Sequence, residues 1–240
     1  MKSSKYLLAA GALLALVASP AFGYEAGTWV LRAGVGVVAP KSDNLNLGTL
    51  DLGGGLQLTS ASLDVDDGTS LTLSGTYMFT QNWAFDILAS WPFEHDIDVS
   101  ATIDDGVNAP VSGSVPIGST EHLPPTFSIQ YHFLPDATFQ PYVGAGVNWT
   151  TFMSEKVTSD AADAGIVGLS LDDSFGAALQ FGGDWVFGNN WLVNFDVRWI
   201  NIETDAEVTL DDGINAPVTG EIGTVEIDPW VYSINIGYRF

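Results

Sequence analysis

The sequence predicts an all-β protein, an eight-stranded antiparallel transmembrane β-barrel with long extracellular loops and short periplasmic turns. Apolar and polar residues alternate in eight segments, each at least roughly ten residues long, as a tilted strand needs to be to cross a bilayer. Aromatic residues cluster at the segment ends, where the two membrane interfaces would lie. Short and long connections also alternate between the segments, as in barrels of the outer membrane.

The N-terminus has the pattern of an export signal. An apolar run at 6–17 follows Lys2 and Lys5 and precedes the small-residue site Ala21-Phe22-Gly23, which is the order of regions in a secretory signal peptide. We therefore expect a signal peptide at 1–23 and an outer-membrane β-barrel at 24–240, with both mature termini periplasmic. The apolar run is shorter than the roughly 20 residues of a spanning helix, which disfavours the alternative of an uncleaved anchor.

The composition excludes several function classes. The 240 residues include 29 acidic and 7 basic ones, giving a formal net charge of −22, and removal of the leader takes away Lys2 and Lys5 but no acid. We expect no nucleic-acid partner, because phosphate binding needs a basic surface. The chain has no cysteine, so its stability must come from packing and hydrogen bonding, which a closed barrel supplies around its ring.

The first four predicted strands are 29–38, 70–80, 83–93 and 125–134. The first begins at Trp29, and in the second, apolar residues such as Leu71 and Phe79 alternate with threonine, serine and methionine. The third begins at Trp83, and the fourth carries Tyr131 near its end. Because alternate side chains of a strand lie on opposite faces, each segment has one face for lipid and one for the lumen.

The last four predicted strands are 140–152, 174–187, 191–202 and 228–240. The seventh begins at Trp191 and alternates apolar with polar residues, and the eighth places Ile234, Ile236 and Phe240 on one face. The long connections are 39–69, 94–124, 153–173 and 201–227, and the short ones are 81–82, 135–138 and 188–190. Short turns are typical of the periplasmic side, so the long, acid-rich loops are expected outside.

Two of the long loops share a repeat. The stretch IDDGVNAPVSG at 103–113 returns as LDDGINAPVTG at 210–220, so we expect the two loops to fold alike. Asp-Gly and Asn-Ala-Pro favour turns, which predicts a hairpin tip in each. Calcium binding is the alternative for such acidic tips, but the stretch 64–68 lacks the spaced ligands and distal glutamate of a calcium loop.

The inward faces of the predicted strands carry charges. Arg32, Arg198 and Arg239 have inward parity, and so do the aspartates Asp86, Asp184 and Asp196. Charges buried in a narrow lumen must pair. Two hypotheses follow: an ion-paired plug that braces the wall, or a set of groups that line a path.

Three prolines fall where the third and fourth strands meet their shared loop. Pro92 lies in the third strand, and Pro124 and Pro125 begin the fourth. A hairpin symmetric about 108–109 would place Pro92 opposite Pro125 and His95 opposite His122, and proline cannot donate to a ladder. This predicts a lateral gap near the outer membrane boundary; the alternative is that the prolines only end the two strands.

The first long loop is rich in leucine, which is unusual for a loop in water. Apolar side chains in this number usually contact something. They either cap the barrel mouth as an apolar funnel or rest on lipid. The residues are Leu45, Leu47, Leu50, Leu52, Leu56 and Leu58.

Catalysis, cofactors and metals are not expected. His95, His122 and His132 are the three histidines, and no serine or aspartate is placed beside them at a spacing that selects a catalytic pair. His95-Asp96 with His122 is equally weak as a zinc site. We expect a non-enzymatic protein without a cofactor.

Several motifs together resemble the OmpW/AlkL family of outer-membrane proteins. They are LPPT at 123–126, QPYVGAGVNWTTF at 140–152, DSFG at 173–176, WLVN at 191–194 and GYRF at 237–240. The resemblance implies an eight-stranded barrel with an apolar lumen that passes small hydrophobic molecules through a side opening into the membrane. Leu88 matches the family's apolar constriction on the third strand, whereas Arg198 departs from it on the seventh. Either Asp196 or Asp86 nearby neutralises Arg198, or this member passes something more polar.

The functional hypothesis is an outer-membrane channel for passive uptake of small hydrophobic molecules. The path would use the first-loop leucines, Leu88 and Arg198, and lateral release would take place at Pro92, Pro124 and Pro125. The expected partners are membrane lipid and small hydrophobic solutes, with the monomer as the favoured state. The alternative is a non-transporting structural or adhesive barrel, plugged by its Arg/Asp network.

Overall fold

The computed structural model describes residues 23–41, 45–46, 50–53, 56–211 and 213–240, and in these ranges the chain forms sixteen strands and one short helix. Apart from Gly23, the predicted signal peptide lies outside the described residues. The strands are β1 (Trp29–Ala39), β2 (Leu45–Asn46), β3 (Leu50–Gly53), β4 (Leu56–Val65), β5 (Gly68–Met78), β6 (Trp83–Ser90), β7 (Phe93–Asp104), β8 (Val111–Leu123), β9 (Thr126–His132), β10 (Phe139–Val157), β11 (Ile166–Leu171), β12 (Ser174–Phe187), β13 (Trp191–Ile200), β14 (Glu203–Leu210), β15 (Val218–Glu226) and β16 (Trp230–Arg239). The helix is α1 (Ser159–Asp163), and no helix of the described chain is long and apolar enough to span a membrane.

Eight of these strands close into one antiparallel barrel. Their order is β1, β5, β6, β9, β10, β12, β13, β16 and back to β1. The seam between the first and last strands runs from Val30 opposite Arg239 to Ala39 opposite Trp230. The predicted fold class is therefore confirmed, with each barrel strand covering most of one predicted segment.

The outer face of the barrel is apolar, as the alternation predicts. On β16, Tyr232, Ile234 and Ile236 are about half exposed, whereas Asn235 and Arg239 are buried. A band of exposed apolar side chains around a closed ring is stable in acyl chains rather than in water. The start of β1 and the end of β16 lie at the end of the barrel that carries the short turns, where the Phe240 amide donates to the Trp29 carbonyl at 2.9 Å.

The long connections, which were predicted to be loops, are mostly strands that extend beyond one end of the barrel. β10 extends past the barrel and pairs with β8, which continues through β7 and β4 to β2, while β3 also pairs with β4. A second, three-stranded sheet is formed by β11, β14 and β15. The alternation simply continues beyond the aromatic ends of the barrel strands, as in β7, where Phe93, His95 and Ile97 are all buried.

The two copies of the repeat fold alike, as predicted. Ile103 pairs with Val111 across one tip, and Leu210 pairs with Val218 across the other. The glycine of each Asp-Asp-Gly has a φ of 70°, which glycine adopts without steric cost. Both tips are therefore hairpin turns.

Two apolar clusters fill the interior and a polar layer lies between them. Along the inner face of β13, Leu192 is followed by Asn194, Asp196 and Arg198, and then by Ile200. The lower cluster consists of Tyr24, Val30, Met78, Ala84, Val186 and Leu192. The upper cluster consists of Val38, Leu63, Phe93, Ile97, Phe152, Ala178, Ile200, Ile202, Ala206, Val225, Ile227 and Val231.

Candidate functional site

The polar layer contains two arginines, each paired with buried aspartate. Arg32 holds Asp184 with two contacts, Nη2 to Oδ2 at 2.6 Å and Nε to Oδ1 at 3.0 Å. Arg198 lies between Asp86 at 2.8 Å and Asp196 at 2.7 Å. All five side chains are nearly inaccessible to water. We call these five residues the ion-paired belt.

Neutral side chains satisfy the remaining oxygens of the belt. Tyr142 and Gln180 each donate to Asp196 Oδ2 at 2.6 Å. Asn194 donates to Asp184 Oδ1 at 2.8 Å, and the Tyr24 hydroxyl donates to Asp184 Oδ2 at 2.5 Å. A buried ion pair is strongest when its other lone pairs are hydrogen-bonded in this way. The belt therefore fills the bore of the barrel at mid-height.

The predicted lumen residues do not all join the belt. Arg32, Asp86, Asp184 and Asp196 belong to it together with Arg198, which was predicted as a path residue. Arg239 is buried near the end of the barrel with the short turns, where its guanidinium carbon lies 5.7 Å from the centre of the Tyr24 ring. The charge of Arg198 is paired in the structure with both aspartates that were predicted to neutralise it, Asp86 and Asp196.

On the side of the belt with the long connections, a small cavity lies between the two sheets that extend beyond the barrel. Its volume is about 10 Å³, which is room for about one water molecule. We call it the apolar chamber. Its lining residues are Leu63, Val65, His95, Ile97, Thr120, His122, Phe152, Leu169, Leu171, Val225 and Ile227.

The two first-loop leucines whose side chains the structure describes, Leu45 and Leu58, do not line this chamber. Leu45 packs against the upper cluster, and Leu58 is half-buried. Leu47 and the side chains of Leu50, Leu52 and Leu56 lie outside the described residues. The lining residues were not predicted, because all but Phe152 of β10 lie in segments assigned to loops: five strands and Ile227, which follows β15. Their signal is the apolar alternation that continues in those segments.

The ladder of backbone hydrogen bonds in the barrel wall is interrupted beside the chamber. The β6–β9 ladder ends where Leu88 faces Thr126, and the β7–β8 ladder begins where Phe93 faces His122. Between these points no ladder pair joins 89–92 to 123–125. Each side still bonds to its other neighbour: the Trp91 amide donates to the Leu71 carbonyl at 2.9 Å, and the Trp149 amide to the Pro125 carbonyl at 3.1 Å. We call this interruption the wall gap.

The predicted register of this hairpin was wrong by two residues. His95 faces Thr120, and His122 faces Phe93, so Pro92 is not set opposite Pro125 by the ladder. At the hairpin tip the Asp105 carboxylate accepts from the amides of Val107 and Asn108 at 2.9 and 2.7 Å, and Ile103 faces Val111, three residues from the predicted partner. A register shift between Ile97 and Asp98 then restores one residue. The turn therefore forms before the Asn-Ala-Pro stretch on which the prediction was centred.

Leu88 lies on the inner face between the belt and the gap. It follows Asp86 by two residues on β6, is buried, and forms the last pair of its ladder. Pro92 lies between β6 and β7, and Pro124 and Pro125 lie between β8 and β9. The structure thus places Leu88 and the three prolines around one interruption in the wall.

The two chamber histidines form part of an aromatic stack. The ring of His122 lies 4.8 Å from that of His95 and 5.6 Å from that of Phe93, both stacked. Burial lowers the pKa of His122 to about 3, and burial also lowers the pKa of His95. Both rings are therefore neutral at pH 7. In the described ranges, no group of three or more His, Cys, Asp or Glu residues is arranged to hold a metal.

The chain is similar to known outer-membrane proteins over most of its length. The sequence model of the OmpW family matches residues 25–240. Outer membrane protein W of Vibrio cholerae serotype O1 is 39% identical over 232 residues, which cover 95% of each chain. The crystal structure of outer membrane protein OprG from Pseudomonas aeruginosa superimposes with a TM-score of 0.75 and 32% identity, covering 91% of this chain and 98% of OprG. The solid-state NMR structure of outer membrane protein AlkL in lipid bilayers has a TM-score of 0.57 and 25% identity, covering 95% of this chain and 97% of AlkL.

Proposed function

The chain belongs to the OmpW family of outer-membrane proteins, and on this basis we propose that it is a channel for passive uptake of small hydrophobic molecules. The solute enters from outside through the apolar chamber. It leaves sideways through the wall gap, beside Leu88 and the prolines Pro92, Pro124 and Pro125, and passes into the bilayer. The process needs no energy source and involves no chemical step.

One observation carries the proposal: the bore is filled by the ion-paired belt, while the wall gap lies just above it. Separating one buried ion pair costs about 3–5 kcal/mol, and axial passage would have to displace both arginines from their aspartates. At the wall gap no ladder pair has to be broken. An apolar solute that reaches the chamber therefore has its lowest barrier toward the side.

The prolines make such a gap tolerable at membrane height. An unsatisfied backbone N–H in hydrocarbon costs several kcal/mol, but proline has no N–H to leave unsatisfied. With proline at positions 92, 124 and 125, the gap contains three fewer backbone N–H groups without a partner than it would with other residues there. Pro125 also keeps its carbonyl engaged with the Trp149 amide.

The orientation follows from the ends of the strands. The first and last strands meet at the end with the short turns, so this end is periplasmic in the proposal, and the belt separates the chamber from it. The predicted signal peptide at 1–23 would bring the chain to the periplasm for insertion. We expect the monomer to be sufficient.

Uptake into vesicles tests the proposal. Vesicles with lipopolysaccharide in the outer leaflet are mixed with naphthalene, and its arrival in the inner compartment is followed by fluorescence. Uptake should be faster with the protein than without it, and Leu88→Arg should slow it severalfold because a charge then lies beside the gap. Val107→Arg adds the same charge at an exposed hairpin tip and should leave uptake unchanged.

Two results would favour the alternative of a non-transporting structural or adhesive barrel, for which the filled bore is the supporting observation. One is uptake no faster with protein than in empty vesicles. The other is equal uptake in Leu88→Arg and the unaltered chain. Leu88→Trp, which narrows the same place without a charge, provides a second variant if Leu88→Arg does not insert.

A further inference from the structure

The apolar chamber contains two polar atoms that no protein group satisfies. Nε2 of His95 and Nε2 of His122 are both buried, and neither has a hydrogen-bond partner among the side chains and backbone around them. Both residues are 2% exposed. Buried polar atoms are hydrogen-bonded in the great majority of cases, so two orphans in one cavity require an explanation.

The hydrogen bond on the far side of the His95 ring determines what its orphaned nitrogen can do. Nδ1 lies 2.5 Å from the carbonyl oxygen of Asp66. A carbonyl can only accept, so Nδ1 carries the proton of the neutral ring. Nε2 therefore presents a lone pair, and only a group that donates a hydrogen can satisfy it.

A glycine keeps other side chains away from that nitrogen. Gly68 lies against the edge of the His95 ring, and a Cβ at position 68 would come within 2.8 Å of Nε2. Apart from the histidines, the lining is apolar except for Thr120. The open space is about the size of one water molecule, which is also the size of one hydroxyl group.

We propose that the apolar chamber selects hydrophobic molecules that carry one hydroxyl group, an alcohol or a phenol, whose O–H donates to Nε2 of His95. The single hydroxyl hydrogen is then used, but the oxygen can still accept a hydrogen bond, and Nε2 of the neighbouring His122 ring can donate it in the tautomer that is protonated there. The hydrocarbon part of the molecule extends toward the wall gap and displaces apolar side chains there. The gap is close because the Phe93–His122 pair, the first of its ladder, borders it. The proposal rests on the proposed function and specifies its substrate class.

Other polar groups fit the chamber less well. A carboxylate brings a full charge into an apolar cavity and has no proton for the lone pair of His95. An ammonium group can donate, but burying its charge is equally unfavourable. A neutral hydroxyl has the donor and avoids the cost of burying a charge.

The experiment compares 1-naphthol with naphthalene in the vesicle assay described above. His95→Phe and His122→Phe keep an aromatic ring in the stack and remove the nitrogens. The initial rate for naphthol divided by that for naphthalene should fall about two- to tenfold in His95→Phe, as expected for the loss of one hydrogen bond. The ratio is the readout because a change in the shape of the chamber affects both probes, whereas the lost nitrogen affects only naphthol. Phe152→Leu, which changes the chamber without touching a nitrogen, should alter both rates alike.

The outcomes separate the two proposals. An unchanged ratio in His95→Phe with both probes still crossing overturns the hydroxyl preference and leaves the channel intact. Naphthalene uptake no faster with the unaltered protein than in empty vesicles overturns the channel. If the variants do not insert, ¹⁵N spectra of the unaltered protein serve instead: the His95 Nε2 resonance should move with 1-naphthol and not with naphthalene, and an unmoved resonance contradicts the proposal.

Discussion

Replacing Asp184 by asparagine is expected to remove a large part of the stability of the barrel. Among the residues that the structure describes, Asp184 is the one carboxylate in close contact with Arg32, and the next, Asp86, lies 3.9 Å away. Asparagine keeps the shape, but it removes the charge and directs an NH₂ group toward donors. Removing one partner of a buried ion pair typically costs about 3–5 kcal/mol because the other charge stays buried.

Urea unfolding in lipid vesicles, followed by tryptophan fluorescence, measures the change in the free energy of unfolding. The control is Lys41→Met, which breaks an ion pair with Glu226 whose side chains are 37% and 53% exposed. Exposed pairs contribute about 1 kcal/mol or less. A cost for Asp184→Asn no larger than that for Lys41→Met would refute the reasoning that the belt is a tightly paired, water-free layer.

Three further outcomes are expected. Gly146→Ala should prevent stable insertion or lower the unfolding free energy strongly, because its Cβ would lie 1.9 Å from the Phe127 carbonyl oxygen of the paired strand; near-normal stability in the same urea assay would contradict this. Acidification should destabilise the sheets that extend beyond the barrel. The pKa of His122 is about 3 in the folded chain and about 6.5 in the unfolded chain. The free energy of unfolding should therefore be unchanged above pH 6.5 and lower below it, by about 2 kcal/mol at pH 5. The loss should be smaller in His122→Phe, and an equal loss in both proteins would argue against the assignment. Replacing Pro124 and Pro125 together by threonine restores two backbone donors and should slow naphthalene uptake severalfold by allowing the wall gap to close, whereas unchanged uptake would place the exit elsewhere.

The barrel was predictable because its signal is local. Lipid outside and a narrow polar lumen inside impose alternation on each strand separately, so Ile234 and Asn235 reveal their faces without reference to any other segment. Parity also placed Arg32 and Asp184 in the lumen. It could not identify them as partners, because their contact joins strands that are far apart in sequence and depends on the closed geometry of the ring.

The chamber and the hairpin register were not predictable for a related reason. The chamber combines residues from six strands, and Leu63 or Val225 has no feature of its own that separates a chamber wall from an ordinary strand. The register of the second long hairpin depends on which turn residue captures the backbone. The Asp105 carboxylate accepts from the amides of Val107 and Asn108. The position of this turn, with the register shift between Ile97 and Asp98, determines the cross-strand partners in the rest of the hairpin.

The seam between β1 and β16 determines how the ring can assemble. Every other neighbouring pair in the barrel is brought together by a connection between consecutive strands, but β1 and β16 have only their ladder. A chain with all other pairings formed would still present two bare strand edges to hydrocarbon, where unpaired backbone groups are prohibitively costly. Membrane insertion and sealing of this seam should therefore be concerted, with half-inserted sheets too short-lived to accumulate.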